Sequence, residues 1–233
     1  VLLLHGFSGS PWEVRPLGEA LAARGFHVDA PLLPGHGQTP EALRYVSWRD
    51  WLHTADEALT RLLARFDEVS IAGLSMGGLL ALVLAARRVR VRRLALLAPV
   101  VQVQDRGARL LQRVRHTPLA RLAPEWVIKT APDIELPDVR AASPLTPRYP
   151  AARILDLFQL QDLARVAEGG VKCPSLVLAA AREHVVDLDA VLALGRRLPF
   201  SRTVVLQRGW HIIPRDTDRA LALAEVGEFF DLG

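Results

Sequence analysis

Between the apolar run Val69 to Ala72 and the helix-forming stretch "MGGLLALVLAARR", the chain carries Gly73-Leu74-Ser75-Met76-Gly77. A strand that reverses into a helix over so few residues needs a sharp, strained turn, and the serine at its tip projects clear of the backbone. A side chain on either side of that tip would collide with the neighbouring strand or helix, which accounts for the two glycines. The helix that follows brings unpaired N–H groups and the positive end of its dipole to the serine. Strand, turn and helix around G-x-S-x-G therefore mark Ser75 as a nucleophile rather than a serine in a glycine-rich turn.

The rest of the chain repeats this alternation. Short apolar runs at Val1 to Leu4, Val28 to Leu32, Leu94 to Ala98, Ser175 to Ala180 and Thr203 to Gln207 are separated by segments of helical period. Strand then helix, repeated, predicts a mostly parallel sheet with helices on both faces. Ser10-Pro11-Trp12-Glu13 reads as a helix start, with Gly25 beyond the last turn. Ser47-Trp48-Arg49-Asp50 opens a second helix whose Trp48, Leu52, Ala55, Leu59, Leu62 and Phe66 share one buried face. Asp216 is placed to cap the last helix.

From about residue 101 to 171 the strand rhythm stops, and short helical pieces are broken by Pro118, Pro124, Pro132, Pro137, Pro144, Pro147 and Pro150. That is too long for an ordinary loop, so a small helical cap inserted before the last two strands is expected over a single domain, with its core at 1–100 and 172–233. Leu145, Tyr149, Ile154, Leu157, Phe158 and Leu160 are candidates for an acyl pocket, although most are expected simply to hold the cap together. Val1 already lies inside a strand-like run, so a truncated N-terminus is expected.

The charge balance narrows the partners. The formal net charge is +4, yet only Lys129 and Lys172 are lysines, so the positive charge is arginine spread along the chain. "RRVRVRR", Arg87 to Arg93, fits the end of a helix and the start of a strand better than a nucleic-acid arm. The lone Cys173 rules out an internal disulfide or a cysteine metal cluster, and no apolar run is long enough to span a bilayer. The expectation is a cytoplasmic protein whose partner is a small molecule rather than nucleic acid.

The first strand runs into "HGFSGS", whose loop supplies the second oxyanion contact that such a turn requires. The backbone N–H groups of Phe7 and Met76 are the candidates. His5 and His36 read as loop braces, and the general base must follow the last strand, where "VVLQRGWHIIP" offers His211. The loop after Ser175 to Ala180 holds two acids, Glu183 and Asp187. Asp187 stands where it can cap the next helix.

"VLLLHGFSGSPWEVRPLGEALAARGFHVDAPLLPGHG" followed by "GLSMGG" resembles the small bacterial carboxylesterases of the α/β-hydrolase superfamily, neighbours of the monoacylglycerol lipases. The resemblance covers residues 1 to about 100 and resumes near 173. It implies a carboxylic ester hydrolase without metal or organic cofactor, acting on short to medium acyl esters, monoacylglycerols among them, through a serine, histidine and acid and an acyl-enzyme. The family pattern of glycine, two variable residues and aspartate, laid from Ala180, puts Glu183 at the acid position, and His211 at the histidine position. Three departures stand out: glutamate for aspartate, Ala180 for glycine, and Trp210 where a small residue is usual. They leave Asp187 open as the acid, and Asp105 as a remoter one. Thioester hydrolysis or acyl transfer on the same residues, or ligand binding with little turnover, are the alternative functions.

Overall fold

A computed structural model describes residues 1–119, 123–129, 131–144 and 146–232. Five strands, β1 (Leu2–Leu4), β2 (Val69–Leu74), β3 (Val91–Leu97), β6 (Ser175–Ala180) and β7 (Ser201–Leu206), pair in parallel in the order β1-β2-β3-β6-β7. Every residue of β1, β2 and β6 is buried, as expected of parallel strands covered on both faces. Alternate side chains enter two separate cores. Leu4, Ile71, Leu96 and Val177 face one side, where α2 (Trp48–Leu63), α3 (Met76–Arg87), α6 (Ala152–Ala167) and α7 (Leu188–Arg197) pack. Leu3, Leu74, Leu97 and Leu178 face the other, against α1 (Arg15–Ala23) and α8 (Arg219–Asp231).

The register aligns the strand ends. Leu4 pairs with Gly73, Leu97 with Leu178, and Ala180 with Leu206, so the loops after β1, β2, β6 and β7 gather at one edge. In doubly wound sheets that carboxyl edge is where ligands bind.

The insertion between β3 and β6 holds α4 (Arg106–Val114), β4 (Trp126–Ile128), α5 (Pro137–Ala141), β5 (Arg148–Pro150) and α6. Proline spacing does not reveal that β4 and β5 form an antiparallel pair. The pair is anchored to the core by Trp126, whose ring lies between the guanidinium groups of Arg44 at 4.5 Å and Arg148 at 4.6 Å. Arg44 also pairs with Glu125, and Arg148 with Glu41 at 2.7 Å. Of the acyl-pocket candidates, Phe158 and Leu160 are fully buried in the core; Leu145 lies outside the described residues.

Three expectations need correction. The run Val28 to Leu32 makes only a single bridge to β1, at Asp29, because Pro31 has no N–H to donate to a ladder. α1 begins at Arg15 rather than Pro11: Glu13 turns inward to the Gly6 N–H, and Ser10 accepts from Trp12 instead. Asp216 does not cap α8, whose N-cap is Asp218. α2 starts where read, with the Ser47 N–H donating to Asp50 at 2.7 Å, but Trp51 replaces Trp48 as its fully buried aromatic and Phe66 lies beyond its end.

Leu160, on the face of α6 that meets α3, has no exposed surface. Leu160→Ala should cost about 2–5 kcal/mol of unfolding free energy. In urea titration this appears as a lower midpoint at unchanged slope.

Candidate active site

Ser75 occupies the turn between β2 and α3 with φ 55° and ψ −115°, a strained conformation for a residue other than glycine. The turn closes only because its neighbours lack side chains. A Cβ on Gly73 would lie 2.2 Å from the Gly77 carbonyl oxygen, and one on Gly77 would lie 2.2 Å from that of Leu4. Backbone packed on backbone at both positions drives the first turn of α3 against β1 and β2, and holds Ser75 at the sheet edge with 6% of its surface exposed.

Met76 is the first residue of α3, and Phe7 lies in the loop after β1. Among the described residues, neither backbone N–H has a hydrogen-bond partner, so both are free to meet a developing oxyanion. The Phe7 ring is fixed by contacts with His36, Trp51 and Tyr149 at centroid separations of 6.0, 5.7 and 4.9 Å. His5 braces this loop: its Nδ1 lies 2.9 Å from the Gly6 carbonyl, and its Nε2 accepts from the Leu33 N–H at 3.1 Å. Burial and the neighbouring His36 depress the His5 pKa to about 3, while burial takes His36 to about 4. Both rings are thus neutral structural groups at physiological pH.

Behind the loop lies the buried carboxylate of Glu13, the residue read from sequence as part of a helix start. Glu13 accepts from the Gly6 N–H at 2.9 Å and would collide with any side chain at Gly9. Burial pushes its pKa up, against the opposing pull of Lys129, the Gly6 N–H, His211 and Arg215. The Lys129 ammonium, from the cap, donates to Ser8 Oγ at 3.2 Å.

The loops after β6 and β7 bring Glu183 and His211 together. His211 Nδ1 lies 3.0 Å from Glu183 Oε2, with both side chains almost fully buried. The other oxygen, Oε1, accepts from the N–H groups of His184 at 3.0 Å, Val185 at 2.9 Å and Val186 at 3.3 Å. Three donors fix the carboxylate, and the longer glutamate side chain reaches the ring without distorting the contact. Desolvation alone would raise the Glu183 pKa, but the adjacent His211, its hydrogen bond and the amides outweigh it, and the net shift is downward. For His211 the same contest ends upward: burial lowers its pKa, and Glu183, with smaller help from Asp133 and Glu13, raises it further. No hydrogen bond among the described residues joins His211 to Ser75; contacts of this kind are often long in the absence of substrate and tighten in its complex.

Asp187, the other acid of this loop, is engaged elsewhere. It caps α7 by accepting from the Ala190 N–H at 3.1 Å, and pairs with Arg109 at 2.5 Å. Asp105 likewise caps α4, through the Ala108 N–H at 2.7 Å. Trp210 turns its ring edge to His184 at 4.7 Å, with Arg140 stacked at 4.9 Å. Sequence reasoning missed Asp133 altogether; this cap residue accepts from the His211 N–H at 3.1 Å. Its only signal was position, just downstream of β4 in a chain whose function was read from the core. The described residues contain no group of three or more histidine, cysteine, aspartate or glutamate side chains able to hold a metal, and no helix long and apolar enough to cross a membrane.

The family model described as Hydrolase_4, Serine aminopeptidase, S33, matches residues 1–218. The chain is 29% identical over 233 residues to the thermostable monoacylglycerol lipase of Bacillus sp. strain H-257, covering 99% of this chain and 89% of that protein. It is 26% identical to the carboxylesterase of Bacillus subtilis strain 168, covering 99% and 92%. Among solved structures, one from the work on LipS and LipT, two metagenome-derived lipolytic enzymes, superposes with a TM-score of 0.87 at 27% identity, over 98% of this chain and 91% of that one. The monoacylglycerol lipase of Paleococcus ferrophilus shares the fold, with a TM-score of 0.80 at 17% identity over 98% and 92%.

The opposed shifts of Glu183 and His211 define a pH window. A lowered carboxyl pKa stabilises the fold above its unfolded value near 4.3 and is lost as pH falls through the folded value; a raised imidazole pKa stabilises below about 6.5 and is lost as pH rises through the folded value. The melting-temperature gap between the wild type and Glu183→Gln should therefore be widest between about pH 4.3 and 6.5 and shrink on either side. A gap of constant size would mean that the pair does not carry these charges.

Proposed function

The chain belongs to the S33 serine hydrolase family of the α/β-hydrolase superfamily, an enzyme family of esterases and lipases, and we propose that it hydrolyses carboxylic esters of short to medium acyl chains through Ser75, His211 and Glu183. The observation that carries this reading is the buried 3.0 Å contact between His211 Nδ1 and Glu183 Oε2, at the same sheet edge as the strained serine. The relatives named monoacylglycerol lipase and carboxylesterase support a carboxylic ester as substrate, with monoacylglycerols included.

In the proposed cycle, His211 Nε2 takes the hydroxyl proton as Ser75 Oγ bonds to the ester carbonyl carbon. The carbonyl oxygen becomes negative between the N–H groups of Phe7 and Met76. Glu183 stays ionised, holds Nδ1–H in the correct tautomer and stabilises the imidazolium. The carbon–oxygen bond to the alcohol breaks, the proton passes from Nε2 to the departing oxygen, and an acyl-Ser75 ester remains. Water, deprotonated by the same imidazole, attacks that ester and releases the acid and free Ser75. Since His211 must be neutral to begin, the acid limb of kcat/KM should titrate above the ordinary histidine value, the direction in which Glu183 shifts the ring.

A fluorophosphonate should label one site per chain, at Ser75, and p-nitrophenyl butyrate should be turned over. Ser75→Ala should lose both, while wild type showing neither would end the esterase reading. Glu183→Gln should lower kcat by about a thousandfold or more, the scale seen when a triad acid is made neutral. Asp187→Asn, which keeps an acceptor for the α7 cap, should stay within about twofold of wild type in kcat. The reverse pattern would move the acid to Asp187.

A further inference from the structure

The cap reaches the histidine loop directly. The Asp133 carboxylate accepts from the His211 N–H at 3.1 Å, and the Asp133 carbonyl accepts from the Ile212 N–H at 3.2 Å. In return Asp216, from the histidine loop and with no exposed surface, accepts from the cap N–H groups of Glu135 at 2.8 Å and Leu136 at 3.3 Å. The same Asp216 also accepts from the Trp210 N–H at 2.7 Å, so one carboxylate holds both chains. The second Asp133 oxygen lies 3.0 Å from His184 Nδ1, on the residue after Glu183. Asp133 thus touches the base loop and the acid loop together, while Lys129, four residues earlier, contacts Ser8 in the oxyanion loop.

We propose that Asp133 is a positioning residue: its carboxylate holds the His211 backbone and places a second negative charge beside the imidazole, so that seating of the cap sets the geometry and charge of the base. This rests on the triad reading above. A purely structural clamp would need only an acceptor for the His211 N–H. A carboxylate held this close also favours the imidazolium that forms when Ser75 gives up its proton, as Glu183 does from the other side. Three acids act electrostatically on the ring: Glu183, in contact with Nδ1, from the loop after β6, Asp133 from the cap, and Glu13 from the loop before α1. Asp133 is in turn faced by His184 and Lys129, and Glu13 by Lys129 and Arg215. Lys129 lies toward both acids other than Glu183, which limits but does not cancel their field at the ring.

The test compares wild type, Asp133→Asn and Asp133→Glu on p-nitrophenyl butyrate across pH, with active sites counted by fluorophosphonate titration so that misfolded protein does not enter kcat. Asparagine keeps an oxygen acceptor and removes the charge. With less negative charge the imidazolium is less favoured and its pKa falls. The acid limb of kcat/KM should accordingly move to lower pH by roughly half a unit, and plateau kcat per titrated site should fall by up to about threefold, the same free energy read as a rate, with KM changed less than about twofold. Glutamate keeps the charge but displaces it, so the limb should stay and kcat should fall. Asp133→Asn matching wild type in both kcat per site and limb position overturns the proposal. If Asp133→Asn does not fold, Asp133→Glu decides, and wild-type kcat per site in that variant overturns it equally. Wild type without turnover would refute the esterase reading itself, whereas an active wild type with a silent Asp133→Asn refutes only the role of Asp133.

Discussion

The site depends on one close approach. Where β2 ends, the first turn of α3 packs so tightly on β1 and β2 that Gly73 and Gly77 meet backbone oxygens at distances no Cβ could occupy. That packing forces Ser75 to a positive φ and supports it there, since an isolated residue would relax. It also places Met76, whose N–H has no hydrogen-bond partner among the described residues, directly after the serine at the start of α3. The parallel register brings the other loops to the same edge, so the rest of the site is a matter of what those loops carry.

Those loops position the base through satisfied acceptors. Glu183 Oε1 is saturated by three consecutive amides, which leaves Oε2 a single task at His211 Nδ1. Burial alone would neutralise both partners; the contact and its amides keep the carboxylate charged and draw the ring toward its protonated form. Ordering the acceptor in this way offsets the extra side-chain freedom that a glutamate brings compared with an aspartate.

Much of this was legible in the sequence. The elbow, the alternation of strand and helix, and the contrast between Glu183 and the helix-capping Asp187 follow from local chemistry and chain order. What stayed hidden depends on long-range contacts. Glu13 has the spacing of a helix-capping residue, yet its partner is the Gly6 N–H, brought near only when the loop after β1 folds back. Asp216 fits a cap as well, yet two of its partners, the N–H groups of Glu135 and Leu136, sit in the insertion 81 and 80 residues upstream. Proline-broken segments such as the cap give no periodic signal, so neither the β4–β5 pair nor the reach of Asp133 to His211 could be read from pattern alone.

The central claim is that Ser75, His211 and Glu183 act as one unit, with Glu183 working only through the ring. Ester hydrolysis per folded chain by His211→Ala, Glu183→Gln and the double variant measures this directly. If the three act as one unit, Glu183→Gln, severe in the wild-type background, costs nothing further once His211 is alanine. A loss of full size in the His211→Ala background would contradict it.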